Sequence, residues 1–162
     1  MKKIMLFVLA LCLCFTAFGA AYAETAAAEK PAAEMTAEEL YQAAREAVGM
    51  EDYGKAMEYF QLAADLGNAE GWRDIGYLYE YGLGVEQDYA KALEYYSLAV
   101  ERGVPEGMFE IGRCYDLGQG VKKDLDKAAK WYRRALDAGF EPRDEEEAEH
   151  LKELIPDWVD NC

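Results

Sequence analysis

The apolar positions of this chain keep a helical rhythm from about residue 36 to residue 155, and the rhythm restarts at a fixed interval. Trp72, Ile75, Gly76 and Tyr79 stand at i, i+3, i+4 and i+7, one face of a helix. Gly82-Leu83-Gly84-Val85 breaks the pattern. Asp88 is then placed to cap a second helix whose packing stripe is Ala92, Tyr95, Tyr96 and Ala99, ended by Gly103 and Pro105. A shift of 36 residues lays this unit on the next: Ile75, Gly76, Tyr79, Gly82, Gly84, Val85, Asp88, Ala92, Tyr96 and Ala99 recur as Ile111, Gly112, Tyr115, Gly118, Gly120, Val121, Asp124, Ala128, Tyr132 and Ala135. Self-similarity at such a period marks a helical repeat array. The same step backwards carries Tyr89, Lys91, Ala92, Tyr95 and Ala99 to Tyr53, Lys55, Ala56, Tyr59 and Ala63, so a more divergent copy comes first. Small residues alternate with aromatics, which is what close helix packing needs.

The ends of the array follow from the same reading. Thr36-Ala-Glu-Glu39 has the spacing of a capping box and predicts the first helix start. Past Gly139, Asp144-Glu-Glu-Glu147 repeats a capping spacing, and Leu151, Leu154 and Ile155 form one apolar stripe before Pro156. That stripe predicts a terminal helix covering the last apolar face. Residues 24–35 are rich in Ala, Glu and Pro without an aromatic, the composition of a disordered linker. The expected organisation is therefore a divergent helix pair over 36–68, repeats over 69–105 and 106–141, and a capping helix and tail over 142–162.

These motifs resemble the Sel-one-like repeat (SLR) family, relatives of the tetratricopeptide repeats. The resemblance rests on Ile75-Gly76 through Tyr79, Gly82, Gly84, Asp88, Lys91-Ala92, Tyr95-Tyr96 and Ala99, and on their counterparts from Ile111 to Ala135. It covers 69–139 well, and 36–68 only in its second helix. It implies an all-α, right-handed solenoid of antiparallel helix pairs, about two and a half to three repeats plus the cap, and a role as adaptor or scaffold. Some exported members carry a disulfide within each repeat, and penicillin-binding or β-lactamase activity is attributed to them. This chain departs from that pattern, with one cysteine in one repeat, Cys114.

Before the array, Lys2-Lys3, an apolar run from Ile4 to Phe18 and Ala21-Tyr22-Ala23 make the three parts of a secretory signal, with cleavage expected after Ala23. The run is too short to span a bilayer, so the mature chain is expected to be periplasmic or secreted without membrane insertion. Cleavage takes away two lysines and no acids, and the formal charge moves from −15 to −17 over 139 residues. Such a balance repels nucleic acid and anionic lipid. The expected partner is a protein or peptide. Export permits a Cys114–Cys162 disulfide, with free or intermolecular thiols as the alternative.

Candidate chemistry is sparse. Gly82-x-Gly84 and Gly118-x-Gly120 have no preceding strand and no following GK[ST], so they read as inter-helix turns and not as phosphate loops. His150 is the only histidine and has no second soft ligand at metal spacing; no metal or cofactor is expected. Cys114 has no histidine at helical contact spacing, and pairs of carboxylates can be drawn at will from 32 acids. The rivals to an adaptor are a small envelope hydrolase and an obligate regulatory subunit.

The residues that suggest function lie opposite the packing stripes. Stacked helix pairs turn one side of each first helix to the concave surface. That side holds Tyr41, Ala44 and Arg45 in the first copy, Arg73, Tyr77, Glu80 and Tyr81 in the second, and Phe109, Arg113, Asp116 and Leu117 in the third. Tyrosine and arginine are enriched at interface hot spots. The expected partner-binding set is Tyr41, Arg45, Arg73, Tyr77, Tyr81, Phe109 and Arg113. Its ligand would carry acidic and apolar side chains or a free carboxylate. The competing reading pairs Arg73 with Glu70 or Glu80 and Arg113 with Glu110 or Asp116, with the tyrosines filling inter-repeat gaps.

Overall fold

The structure, a computed structural model, describes residues 30–156. Residues up to Glu34 form one unit and those from Met35 another. In the first, Ala32–Glu34 make a single 3₁₀ turn, with Glu34 N–H donating to the Pro31 carbonyl at 2.8 Å. The signal-like segment, Trp158 and Cys162 lie outside the described residues.

The second unit holds seven α-helices among the described residues: α1 (Ala37–Gly49), α2 (Tyr53–Asp65), α3 (Glu70–Tyr81), α4 (Tyr89–Glu101), α5 (Pro105–Leu117), α6 (Leu125–Asp137) and α7 (Glu145–Leu154). They form an all-α solenoid of helix pairs, α1–α2, α3–α4 and α5–α6, closed by α7. The starts follow the cap chemistry. Thr36 and Glu39 make a reciprocal capping box, and Asp52, Asp88, Asp124 and Asp144 accept from amides of the first turns of α2, α4, α6 and α7.

Within each full repeat a glycine of the first helix receives a tyrosine ring of the second. A Cβ on Gly76 would meet Tyr96 at 2.7 Å, and one on Gly112 would meet Tyr132 at 2.6 Å. Between repeats, the loop closing each first helix presses on the previous pair. Gly84 (φ +71°) has room for no Cβ against Tyr53, and Gly120 (φ +70°) none against the Tyr89 carbonyl. Both backbone conformation and close approach therefore demand glycine there. No helix pair precedes the first among the described residues, and its loop is residues 50–52 where the later loops span 82–88 and 118–124. Counting back from α2 through this shorter loop brings Ala44, and not Leu40, to the place of Gly76. Tyr41 then corresponds to Arg73, Arg45 to Tyr77 and Val48 to Glu80.

The cap buries its apolar stripe as the pattern predicts. Leu151 and Ile155, 0% and 1% exposed, complete a cluster with Phe109, Ala128, Tyr132, Ala135 and Phe140.

Candidate functional site

Polar side chains stitch every junction of the array on the side of the first helices. At the first junction, Tyr41 of α1 comes close to Arg73 and Asp74 of α3, whose side chains pair at 2.6 Å. At the second, Glu80 of α3, 3% exposed, accepts from the Tyr96 hydroxyl at 2.5 Å and from Arg113 Nη2 of α5 at 2.9 Å. Arg113 Nη1 also donates to Glu110 at 2.6 Å. At the third, Asp116 of α5 lies 2.6 Å from His150 Nε2 of α7, 3.5 Å from the Tyr132 hydroxyl and 3.7 Å from Lys123 Nζ. At the second and third junctions, then, a buried carboxylate takes a tyrosine of its own repeat and a basic side chain of the next element.

Desolvation would make such buried carboxylates costly without partners. Burial holds Glu110 and Asp74 above the usual carboxylate range, with Arg113 and Arg73 opposing the shift. Burial also works against the charged guanidiniums of Arg73 and Arg113, but the adjacent carboxylates outweigh it and keep both above the ordinary arginine value.

This seam sorts the residues singled out from the sequence. Tyr41, 8% exposed, packs on Phe60 and serves the first junction. Phe109, 3% exposed, is sandwiched in the cap core, its ring 4.3 Å from Phe140. Neither faces outward, because α2 and the cap close over positions that helical periodicity alone leaves open. Arg73 and Arg113 are half-buried in ion pairs: the Arg73–Glu70 and Arg113–Glu110 pairs of the competing reading stand at 3.4 and 2.6 Å, and beyond that reading Arg73 holds Asp74 and Arg113 reaches Glu80 of the preceding repeat. Arg45 is exposed, its guanidinium carbon over the Tyr41 ring at 6.0 Å from the centroid.

What remains open is compact. Tyr77 and Tyr81, 38% and 47% exposed, lie with ring centroids 4.5 Å apart, and the Tyr81 hydroxyl meets Arg113 Nη2 at 3.2 Å. On the far side of Arg113, Leu117 is 56% exposed at the mouth of a cleft of about 290 Å³ between α5 and α7. Asp116, His150, the α7 cap residue Asp144 and the α7 carboxylates Glu146 and Glu147 line that cleft. The buried carboxylate role of Glu80 and Asp116 emerges only in the fold. The available signal was the tyrosine sixteen residues on in both repeats, with Val48 and Phe60 replacing both members in the first.

Cys114 is a free thiol, 2% exposed, in a cluster with Tyr96 and Ile111. Burial, and then the Glu80 and Glu110 carboxylates, push its pKa up to about 12, which favours the protonated thiol. Among the described residues no group of His, Cys, Asp and Glu is arranged to hold a metal, and no helix is long and apolar enough to cross a membrane.

A family model described as Sel1 repeat matches residues 47–68, 73–104 and 105–140. The chain belongs to the Sel1 repeat family. Sel1 repeats mediate protein interactions. Solved structures agree in fold. The Sel1 repeat protein from Oxalobacter formigenes aligns over 76% of this chain and 57% of its own, with TM-score 0.63 and 24% identity. The protective antigen c5321 of uropathogenic Escherichia coli, which displays an SLR fold, aligns over 64% of this chain and 23% of its own, with TM-score 0.58 and 28% identity. Helicobacter pylori cysteine rich protein B aligns over 71% of this chain and 94% of its own, with TM-score 0.53 and 25% identity. The chain thus spans just over half of the first and under a quarter of the second. No curated protein matches it.

Proposed function

We propose that this Sel1 repeat protein is a non-catalytic interaction module of the bacterial cell envelope. On this reading residues 1–23 direct export, and a partner protein is bound on the outward side of α3 and α5. The observation that carries the binding face is the exposed Tyr77–Tyr81 pair beside exposed Leu117. Most other large aromatic side chains of the array are buried or half-buried in junctions and repeat cores. Solvent-facing tyrosines with a leucine, around a polar centre fixed by Arg113, have the make-up of an interface hot spot. The half-buried arginines act as scaffold, and the tyrosines supply contact area.

The test is crosslinking in the native envelope, comparing the natural chain with Tyr77→Ala/Tyr81→Ala. The expected result is a specific crosslinked partner that the double variant loses while its helical circular dichroism is unchanged. Equal crosslinking by the variant overturns the assignment of this face.

A further inference from the structure

The chemistry of the partner can be read from which charges on this face are already committed. Both guanidiniums nearest the tyrosines are spent inside the fold: Arg73 on Asp74, Arg113 on Glu80 and Glu110. His150 and Lys123 stand on Asp116, and Arg143 is held by Glu147 at 2.7 Å. The open charges at the α5/α7 cleft are therefore negative. Glu146 is exposed there, and exposed Asp144 spends one carboxylate oxygen on the Glu147 amide. An incoming carboxylate would meet these acids without a vacant guanidinium to receive it. An incoming ammonium or guanidinium would meet complementary charge, beside the exposed apolar surface of Leu117 and, across Arg113, the tyrosine rings. The formal charge of −15 for the whole chain acts in the same direction at long range.

We infer that the face binds a cationic-apolar protein segment, whose Lys or Arg enters the cleft between α5 and α7 while a neighbouring apolar side chain lies on Tyr77 and Tyr81. This replaces the acidic ligand that the unpaired arginines suggest in the sequence. It rests on the interaction reading above.

The experiment uses fluorescence anisotropy of the chain lacking residues 1–23, titrated into labelled, end-capped octapeptides. Each carries one Leu-Phe pair, flanked by lysines, glutamines or glutamates. The lysine probe is expected to bind at least tenfold more tightly than the glutamate probe, with the difference shrinking as salt rises. Glu146→Lys should weaken the lysine probe several-fold at unchanged melting temperature, and Tyr77→Ser/Tyr81→Ser should weaken all probes. No measurable lysine-probe binding at low salt, or insensitivity to Glu146→Lys, overturns the inference. Equal binding of all three probes that is lost with the tyrosines overturns the charge preference and leaves the face standing. Lysine-probe binding that ignores the tyrosines overturns the face itself.

Discussion

Glu80 illustrates how much of this array depends on single buried polar atoms. Its carboxylate accepts from Tyr96 in its own repeat and Arg113 in the next, so each partner loses its bond if the acid is removed. A double-mutant cycle over Glu80→Ala and Tyr96→Phe is expected to give a coupling of about 1–3 kcal/mol, the scale of a buried hydrogen-bonded group losing its partner. Chemical denaturation of the four proteins measures it, and additivity within error would remove the hydroxyl from the junction. The same site bears on Cys114. A thiol pushed up to about 12 favours the neutral form in the fold. Its contribution to stability is complete below the unfolded thiol value and is lost as pH rises through the folded one. In native buffer at pH 8, alkylation by iodoacetamide should therefore be slow and should track unfolding. Rapid labelling of Cys114 would contradict the burial.

Elements were more legible than contacts. Helix spacing, cap residues and Gly-x-Gly turns can be read because they are local, and six of the seven described helices start where Thr36, Asp52, Asp88, Asp124 and Asp144 cap them or at Pro105, while α3 starts after Ala69 with no side-chain cap. Which outward-looking residue a later element covers is not local, and this is why Phe109 and Tyr41 stand inside. The shorter α1–α2 loop also moves the first copy by one turn relative to a constant 36-residue register, a change the second helices alone cannot reveal. The cap shows how the two layers of information combine. Leu151 is fully buried against Tyr132 and Phe140, while His150 beside it clasps Asp116. Leu151→Ala is expected to cost about 2–5 kcal/mol, as for other large-to-small core changes, and His150→Ala about 1 kcal/mol, as for one hydrogen bond. Urea melts of both variants rank them, and a His150 change as damaging as the Leu151 one would show that the clasp and not the apolar stripe holds α7.

For the molecule as a whole, the decisive fact is an excess of acid, part of it buried. Burial holds Glu70, Asp74 and Glu110 above the usual carboxylate range against the opposing pull of Arg73 or Arg113. Such groups bind protons more tightly in the folded chain than in the unfolded one. The stability they contribute is full below the unfolded carboxylate value and is lost as pH climbs through the raised folded value. Self-repulsion at a formal charge of −15 acts with the same sign, since protonation relieves it. The melting temperature is therefore expected to rise as pH falls from 8 toward about 5, in contrast to a protein whose carboxylates are stabilised as anions. Added salt screens the exposed part of the repulsion and should flatten the trend without abolishing it, because the buried groups are screened least. Circular dichroism melts at several pH values in low and high salt test this, with His150→Gln as the control that separates the carboxylates from the one histidine. A melting temperature that falls steadily below neutrality in both proteins would mean that these buried acids are held as anions by their arginines more strongly than burial opposes it.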